Sequence, residues 1–395
     1  MLKINLMSNK LIKSIYLIWI NYGSKLLHKY YHFLKRYKRD GFGMYVRILK
    51  EDENIGYNNF IAESRFSSIY QSFEWGIVKQ YDHWEVIRLI VIDSGQIVGG
   101  LSCLCKKSPF FAKRIFYIPR GPVLDYFAEN APDIFKLLFL KIREIARREG
   151  ALYIRISPDI SKNIHFNDYI SKYNLHRVRY PILHTTTYRL DLTKSEEQLL
   201  NSMESRVKYD IRKAQRENVE ILSDDGNEEY LKDFYNLLYQ VAERNKFPIY
   251  SYEMMQNIWN ILSPNGMCKI FLARSQGKII SGAFLFLFGD KCIYQWGGSV
   301  RAKNNPNQLL HWEIIRWAKS NGFSIYDLQG IPENVKKGDE LWGIYLFKRG
   351  FGGDRIQLIG EYDYILSPIL YKIWQVIEPK YPAVKNCLSK IKKRK

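Results

Sequence analysis

Positive side chains are concentrated on one face of a predicted helix near the middle of the chain, where they could bind phosphate groups. Thr193-Lys-Ser-Glu196 has the pattern of a capping box, which predicts a helix start, and Leu199, Met203 and Val207 follow at helical spacing. The other face carries cations that are close enough to contact a phosphodiester backbone. These cations are Arg206, Lys208, Arg212, Lys213 and Arg216. The alternative is a basic helix face that is merely solvated.

The cysteines and histidines do not form a pattern that is typical of metal or nucleophilic catalysis. The five cysteines are odd in number and contain no Cys-x-x-Cys, which predicts reduced thiols and a cytosolic location. The seven histidines show no His-x-x-x-His or glutamate-linked spacing. No Ser-His-Asp or Cys-His pairing is visible either. We therefore expect no metal and no cofactor.

The elements that must position these side chains form a pattern that occurs twice. Gly95-Gln-Ile-Val-Gly-Gly-Leu matches Gly277-Lys-Ile-Ile-Ser-Gly-Ala, and each lies in a turn between two apolar strands. A third strand, a helix of 3.6-residue periodicity and a further apolar strand follow both times. The sequence therefore predicts an α/β (α+β) unit repeated in tandem, as a gene duplication would leave it.

This element order resembles the fold of the N-acetyltransferases (GNAT fold). The resemblance implies a glycine-rich turn at the start of the central helix, where backbone N–H groups hold the pyrophosphate of coenzyme A. The matching segments begin at Tyr126 and Arg301 and contain no glycine before the helix. A coenzyme A donor is therefore disfavoured.

Seven segments, in order along the chain, resemble the FemA/FemB/FemX family of aminoacyltransferases, which build peptide bridges in bacterial peptidoglycan. They are Tyr70-Gln-Ser-Phe-Glu-Trp-Gly-Ile-Val-Lys79, Tyr117-Ile-Pro-Arg-Gly-Pro-Val-Leu-Asp125, Ser205-Arg-Val-Lys-Tyr-Asp-Ile-Arg-Lys-Ala214, Tyr294-Gln-Trp-Gly-Gly-Ser299, His311-Trp-Glu-Ile-Ile-Arg-Trp-Ala318, Tyr326-Asp-Leu-Gln-Gly330 and Tyr345-Leu-Phe-Lys-Arg-Gly-Phe-Gly-Gly353. The resemblance covers roughly residues 60–365.

The family resemblance implies two GNAT-like domains, an aminoacyl-tRNA donor and a peptidoglycan precursor whose amine accepts the amino acid. Longer members insert a helical hairpin arm in the second domain, and the space between Gln215 and Pro248 is too short for one. We expect a first domain over 51–190, completed by 355–395, and a second domain over 191–354. Residues 1–50 form a basic extension.

The resemblance also assigns roles to single residues. Lys348 matches the lysine of the family's Phe-Lys signature, with Phe347 before it, and is implied to stabilise the oxyanion of acyl transfer. The alternative for Lys348 is a structural ion pair with Asp327 or Glu361. The implied substrate-binding positions are Lys79, Trp296, Tyr250, Asp159 and Asp327, and the implied tRNA-binding positions are Arg206, Lys208, Arg212 and Lys213.

Each of these assignments has a structural alternative. Lys79 could be a solvated helix lysine, and Trp296 could be a core residue. Asp327 either positions the attacking amine or caps the loop that follows its strand. At Tyr250 the family's arginine is absent, and Ser157 stands where an aspartate is expected, with Asp159 two residues on. These departures leave the identity of the acceptor open.

The charge of the chain lies mainly at its two ends. Of a formal net charge of +20, residues 1–50 carry +10 and residues 371–395 carry +7, so the body is nearly neutral. The N-terminal apolar run is too short to span a membrane, and the segment has the composition of an amphipathic helix at a membrane interface. The alternative is a helix that packs on the body of the protein with its lysines facing water. We expect a cytoplasmic protein that binds the anionic inner face of the plasma membrane, and removal of residues 1–45 should release it from vesicles.

Two other functions fit part of the pattern. One is a coenzyme A-dependent N-acyltransferase of the same fold, and the other is a membrane-attached RNA-binding protein without catalysis. The second leaves the Lys348 segment without a purpose. Composition, with 46% hydrophobic and 25% charged residues, excludes a mainly disordered chain. The sequence does not indicate an oligomeric state.

Overall fold

The computed structural model describes residues 43–162, 166–300 and 305–378. The site discussed below lies in one compact unit, whose described residues are 46–91 and those from 97 onward. Among the described residues, a second unit contains 43–45 and Ile92–Gln96. The predicted basic extension over residues 1–50 lies mostly outside the described residues, as does the basic C-terminal tail after Glu378. Among the described residues, no helix combines the length and the hydropathy that crossing a membrane requires.

Fifteen strands are present in the described chain. They are β1 (Tyr45–Ile48), β2 (Glu85–Asp93), β3 (Gln96–Lys107), β4 (Arg114–Arg120), β5 (Val123–Leu124), β6 (Ala151–Pro158), β7 (His176–Arg177), β8 (Thr186–Asp191), β9 (Glu220–Ser223), β10 (Cys268–Ser275), β11 (Lys278–Phe288), β12 (Lys291–Ser299), β13 (Ile325–Gly330), β14 (Asp354–Gln357) and β15 (Tyr362–Ile365).

Eleven α-helices lie between these strands in the described chain. They are α1 (Asn54–Glu63), α2 (Phe73–Tyr81), α3 (Ala131–Arg148), α4 (Asn167–Lys172), α5 (Glu196–Ser202), α6 (Ser205–Arg216), α7 (Glu228–Asn245), α8 (Tyr252–Leu262), α9 (Pro306–Ser320), α10 (Trp342–Gly350) and α11 (Pro368–Ile377).

The predicted duplication is present in the structure. The first copy runs β2, β3, β4, α3 and β6, and the second runs β10, β11, β12, α9 and β13. The first two strands of each copy are joined by a two-residue turn, Ser94-Gly95 or Gln276-Gly277, in which both residues have positive φ. This conformation is typical of the type I′ turn, which matches the twist of a hairpin. In each copy the third strand pairs in parallel with the strand after the helix.

The strands form two sheets, with an exchange between them late in the chain. The first sheet has the order β1-β2-β3-β4-β6-β15-β7, with β5 beside β3, and the second has the order β14-β8-β13-β12-β11-β10-β9. Strand β8 belongs to the second sheet, so the chain changes sheets before Thr186 and not after residue 190. The chain returns to the first sheet after Gln357, three residues beyond the predicted end of the second domain at residue 354. Strand β15 then completes the first sheet.

The predicted basic helix is divided into two helices. Its capping box is formed by Ser195 and Gln198, two residues beyond the predicted one, because Thr193 bonds to Asp191 instead. Helix α5 ends at Ser202, and α6 carries the cations. Within residues 166–300, which are all described, α7 is the helix that lies between Gln215 and Pro248. It packs on β10, β11 and β12, and no hairpin arm is present.

Candidate active site

Lys348 is buried in the last turn of α10, and no carboxylate of the described residues lies at contact distance from its charge. Its ammonium donates a hydrogen bond of 2.9 Å to the carbonyl oxygen of Gly330, at the end of β13, and lies 5.9 Å from the centre of the Tyr294 ring. Burial lowers the pKa of Lys348 to about 8, although the charge of Asp327 opposes this shift. Lys348 therefore remains positively charged at neutral pH, in a place where that charge is poorly solvated.

The alternative role of Lys348 as a structural ion pair is not what the structure shows. Within the described residues, neither Asp327 nor Glu361 approaches its ammonium to ion-pairing distance. Asp327 is bound by Arg189, and Glu361 lies beside Arg155 in the first sheet. The positive charge of Lys348 is thus available to a group that enters the site.

Aromatic rings and a neutral histidine pack beside Lys348. His311 of α9 is buried, and its Nδ1 lies 2.7 Å from the Tyr326 hydroxyl. Burial, together with the charge of Lys348, lowers the pKa of His311 to about 3, so that it adds no second positive charge. Phe347, predicted to be catalytic, lies with its ring centre 5.1 Å from that of His311 and 5.2 Å from that of Phe351. Its contacts in the structure are packing contacts.

Asp159 and Asp327 belong to a buried group of four charges, which we call the pocket cluster: Asp159, Arg189, Lys291 and Asp327. Arg189 binds Asp159 at 3.0 Å and Asp327 at 2.8 Å, while the Lys291 ammonium lies 3.2 Å from Asp159. Burial alone would raise the pKa of Asp159, but these two cations outweigh it and hold the pKa below its usual range. Asp159 is therefore ionised, and both carboxylates are paired.

Asp327 makes two further hydrogen bonds within the second sheet. It accepts from the Thr187 hydroxyl of β8 at 2.5 Å and from the backbone N–H of Gln329, in its own strand, at 2.7 Å. Together with the Arg189 contact, these bonds occupy the carboxylate. Its two predicted roles, positioning of the amine and capping of the loop that follows, stay predictions.

The pocket cluster lines a narrow polar pocket to which both sheets contribute. Its free volume of about 30 Å³ is enough for one or two water molecules. The side chains around it include Tyr70 and Arg120 from the first half and His184, Thr187 and Gln329 from the second half and the linker before it. Gly330, which binds Lys348, also lines the pocket, so the Lys348 ammonium lies next to it.

A second group of side chains consists of three residues that were predicted to bind substrate, namely Lys79, Tyr250 and Trp296. Lys79 is buried and forms an ion pair of 2.9 Å with Asp82, so it is not a freely solvated helix lysine. Tyr250 is 40% exposed, and its ring centre lies 5.8 Å from that of Trp296. Burial and the nearby charge of Asp82 raise the pKa of Tyr250. These contacts place a cation and two aromatic rings close together.

Ring contacts connect this group to the pocket. The ring centre of Phe286 lies 5.4 Å from that of Trp296 and 5.6 Å from that of Trp75. The Trp75 ring lies 6.0 Å from the Lys79 ammonium and 5.1 Å from the ring of Tyr70, which lines the pocket. The predicted acceptor group therefore reaches the edge of the pocket through Trp75.

The four predicted tRNA-binding residues lie on α6 and do not line this pocket. Arg206 and Arg212 are exposed, Lys208 and Lys213 are half-buried, and the helix packs through its apolar side on α9. Arg206 lies 3.8 Å from Asp210, which is buried. The face of α6 that carries these cations is therefore a separate surface.

Sequence reasoning did not single out several residues of the pocket, namely Arg120, His184, Arg189, Lys291 and Gln329. One signal in the sequence could have found some of them. A charged residue inside an apolar strand is seldom buried without a partner, so such a residue predicts a buried ion pair. Gly121, beside Arg120, has no positive φ, and a Cβ atom there would lie 2.6 Å from the Gln71 side chain, so space for Gln71 is what requires the glycine.

Comparison with known proteins agrees with this architecture. The FemAB family model matches residues 53–179, and a model described as an acetyltransferase (GNAT) domain matches residues 201–340. Lipid II:glycine glycyltransferases of Staphylococcus epidermidis and Staphylococcus aureus are each 24% identical to this chain. The alignments cover 85% and 87% of this chain and 97% and 98% of those proteins.

The comparisons thus show a likeness to the FemAB family over the first half of the chain. The crystal structure of FemX matches this chain with a TM-score of 0.77 at 22% identity, over 84% of this chain and 99% of FemX. A tandem GNAT protein from the clavulanic acid biosynthesis pathway matches with a TM-score of 0.52 at 10% identity, over 82% and 98%. These two structures confirm the predicted tandem GNAT fold. The alignments with the glycyltransferases contain more positions than the number of residues of this chain that are aligned. The additional positions are residues of the glycyltransferases that have no counterpart in this chain.

Proposed function

We propose that this protein transfers an amino acid from aminoacyl-tRNA to an amine of a peptidoglycan precursor, either lipid II or its soluble nucleotide-linked form. The staphylococcal relatives are named for glycine transfer to lipid II, and their alignments extend over nearly their whole length. The tRNA donor follows from the resemblance of the seven sequence segments. Because charged tRNA is a cytoplasmic molecule, the proposed location is the cytoplasm at the inner face of the membrane.

The observation that carries this proposal is the buried Lys348 ammonium, which has no counter-ion and lies next to a pocket lined by both halves. In the reaction, the neutral acceptor amine attacks the ester carbonyl of the donor and forms a tetrahedral oxyanion. The C–O bond to the tRNA ribose then breaks, an amide bond remains, and the proton of the amine moves to the ribose oxygen. A cation held in a poorly solvated site stabilises the oxyanion more than it stabilises the neutral ester.

We assign two surfaces of the protein to the two substrates. Lys79, Tyr250 and Trp296 would contact the acceptor, because a cation beside aromatic rings suits its phosphate and sugar groups. Arg206, Lys208, Arg212 and Lys213 of α6 would contact the tRNA backbone. Replacing Arg206 and Arg212 by Gln should raise the KM for charged tRNA and make it less dependent on salt, with kcat unchanged.

The decisive experiment measures transfer by the full-length protein from a mixture of charged, radiolabelled tRNAs to purified lipid II or to the soluble precursor. The expected product contains a label that mild base does not release, because an amide survives where the tRNA ester is hydrolysed. A parallel reaction with acetyl coenzyme A tests the acyltransferase alternative. Acetyl transfer in the absence of tRNA, or tRNA binding without any transfer, would refute the proposed function.

Variants of α10 test the role of Lys348. Lys348→Met should reduce kcat by about 10²–10³, the usual loss when one oxyanion-stabilising donor is removed, whereas the KM for either substrate should change little. Arg349→Met is the matched control, since the Arg349 side chain is 42% exposed and pairs with Glu204. Full turnover by the Lys348 variant would show that another group stabilises the oxyanion.

A further inference from the structure

Helix α11 has an unusual distribution of apolar side chains. Its inner face is formed by Tyr371 and Trp374, which are buried against Tyr153 and Leu152 of β6. Its outer face carries Ile369, Ile373 and Val376, which are 78%, 46% and 67% exposed. The spacing of these three residues places them in one row along the helix. We call this row the α11 stripe.

The other surface helices among the described residues do not expose such a row. Helix α3, which is longer, exposes Pro132, Asp133, Lys136, Glu144, Arg147 and Arg148. Helix α6 exposes polar and basic residues and one aromatic ring, namely Ser205, Arg206, Tyr209, Arg212, Gln215 and Arg216. Single exposed apolar residues need no explanation, but an aligned row of aliphatic side chains on a helix indicates a binding surface.

The orientation of α11 is fixed by buried charges. Glu378, which follows the last residue of α11, accepts a hydrogen bond of 2.8 Å from Arg155, and the Tyr371 hydroxyl donates to Asp363 at 2.7 Å. Arg155 and Asp363 are both buried within the first sheet. Because these bonds hold the inner face in place, the α11 stripe cannot turn inward to bury itself.

The charge of the neighbouring sequence selects the partner. The seventeen residues after Glu378 contain seven Lys or Arg residues and no acidic residue. Residues 1–42 contain nine Lys or Arg residues and one acidic residue, so this segment and a second copy of the chain would both repel the tail electrostatically. An anionic lipid surface attracts the tail and accepts aliphatic side chains at the same time.

We propose that the α11 stripe inserts into the surface of an anionic lipid bilayer, with the cationic tail beside it. Three aliphatic side chains supply the apolar contact, and the tail supplies an attraction that depends on salt concentration. This site is distinct from the pocket and does not depend on the transfer reaction. It adds a structured contact to the membrane anchor that the sequence predicts for residues 1–50.

Vesicle flotation with the full-length protein tests the proposal. The vesicles consist of phosphatidylcholine alone or with about one third phosphatidylglycerol. The test variant combines Ile369→Ser, Ile373→Ser and Val376→Ser. The matched control combines three substitutions at aliphatic residues of similar exposure elsewhere, Ile48→Ser, Ile55→Ser and Ile182→Ser, which are 55%, 71% and 57% exposed.

The test variant should bind the anionic vesicles at least about tenfold more weakly than the wild type, because it loses the apolar contact, while the control should stay within about twofold. Both should keep the thermal unfolding temperature of the wild type, since all six side chains are exposed. Added salt should weaken binding of the wild type to anionic vesicles. The assay contains neither tRNA nor acceptor, so its outcome is separate from that of the transfer assay.

Three outcomes would overturn the proposal. One is equal vesicle binding by the test variant and the wild type. The second is a loss of oligomer mass in the test variant, measured by light scattering, which would make a second copy of the chain the partner. The third is faster proteolysis of residues 1–42 in the test variant, which would make that segment the cover of the stripe.

Discussion

Two buried groups of charges differ in how completely their charges are paired. The first, which we call the Arg155 cluster, consists of Arg155, Glu361, Asp363 and Glu378 in the first sheet. Arg155 makes two bonds to Asp363, at 2.8 and 2.9 Å, and two to Glu378, at 2.8 and 3.2 Å. The Tyr117 hydroxyl and the backbone N–H groups of residues 182 and 183 bind Glu361. This cluster has its partners within the protein.

The region around Lys348 is different. The pocket cluster is paired internally, but Lys348 beside it has a neutral carbonyl as its hydrogen-bond acceptor. A buried cation without a counter-ion is costly for the folded state and useful for stabilising negative charge that develops during a reaction. The comparison suggests that the Arg155 cluster serves stability and that Lys348 serves chemistry.

The largest expected effect is a change in the free energy of unfolding, which should differ between variants of the Arg155 cluster and variants of Lys348. Arg155→Met should lower the free energy of unfolding by about 3–5 kcal/mol, because Asp363 would remain buried without its partner and the half-buried Glu378 would lose its ion pair. Lys348→Met should leave it unchanged within about 1 kcal/mol or raise it, because a desolvated charge is removed. Urea unfolding of both variants provides the measurement. Arg148→Met, at a side chain that is 70% exposed, is the control for loss of an arginine.

A similar loss of stability in both variants would contradict the comparison. It would mean that Lys348 is as important to the folded state as Arg155 is. In that case the kinetic loss in Lys348→Met would no longer identify a catalytic role.

The pH dependence of Lys348 gives the next effect. Its pKa of about 8 in the folded protein lies below the ordinary value of 10.5, so the charge costs the folded state about 3 kcal/mol below pH 8. This cost should disappear as the pH rises from 8 to 10.5, because the unfolded chain then holds the proton more tightly than the folded chain does. The stability of the wild type relative to Lys348→Met should therefore increase over this range.

Catalysis should show the opposite trend. If the charged form of Lys348 stabilises the oxyanion, kcat should fall about tenfold per pH unit above pH 8. Lys348→Arg should move this decline to higher pH, because a guanidinium keeps its proton. A pH profile that is identical in wild type and Lys348→Arg would assign the decline to another group.

The smallest expected effect concerns Glu361, which joins the Arg155 cluster to the linker next to His184. Glu361→Gln keeps the shape of the side chain and removes its charge, so the free energy of unfolding should fall by about 1–2 kcal/mol. The kcat should remain within about twofold of the wild type if the cluster acts only on stability. A larger drop in kcat would show that the Arg155 cluster also positions the pocket.

Much of the fold could be predicted because its signals are local. The turns at Gly95 and Gly277 and the periodic helices after them indicate the same five elements twice, and the structure contains them in that order. The capping box was wrong by two residues and the change of sheets was misplaced. Turn contacts such as Thr193 to Asp191, and the pairing of β8 and β14, depend on partners that the local pattern does not reveal.

The candidate site could be predicted only in part. Lys348 came from resemblance to a family signature, not from its chemistry. Arg189 and Lys291 were missed because they lie far apart in the chain, on strands whose pattern indicates ordinary core. The same holds for Arg155, a charge within the apolar strand β6, which in hindsight signals a buried partner.

The sequence by itself determined the repeated unit, the family signature and the placement of net charge at the two ends, since each depends on residue type and spacing along the chain. Only the tertiary structure decided which charges are paired. A charge is paired when an opposite charge lies within a few ångströms, and the packing of the sheets sets that distance. The packing gave Arg189 two carboxylates and gave Lys348 none, and it turned the aliphatic face of α11 outward.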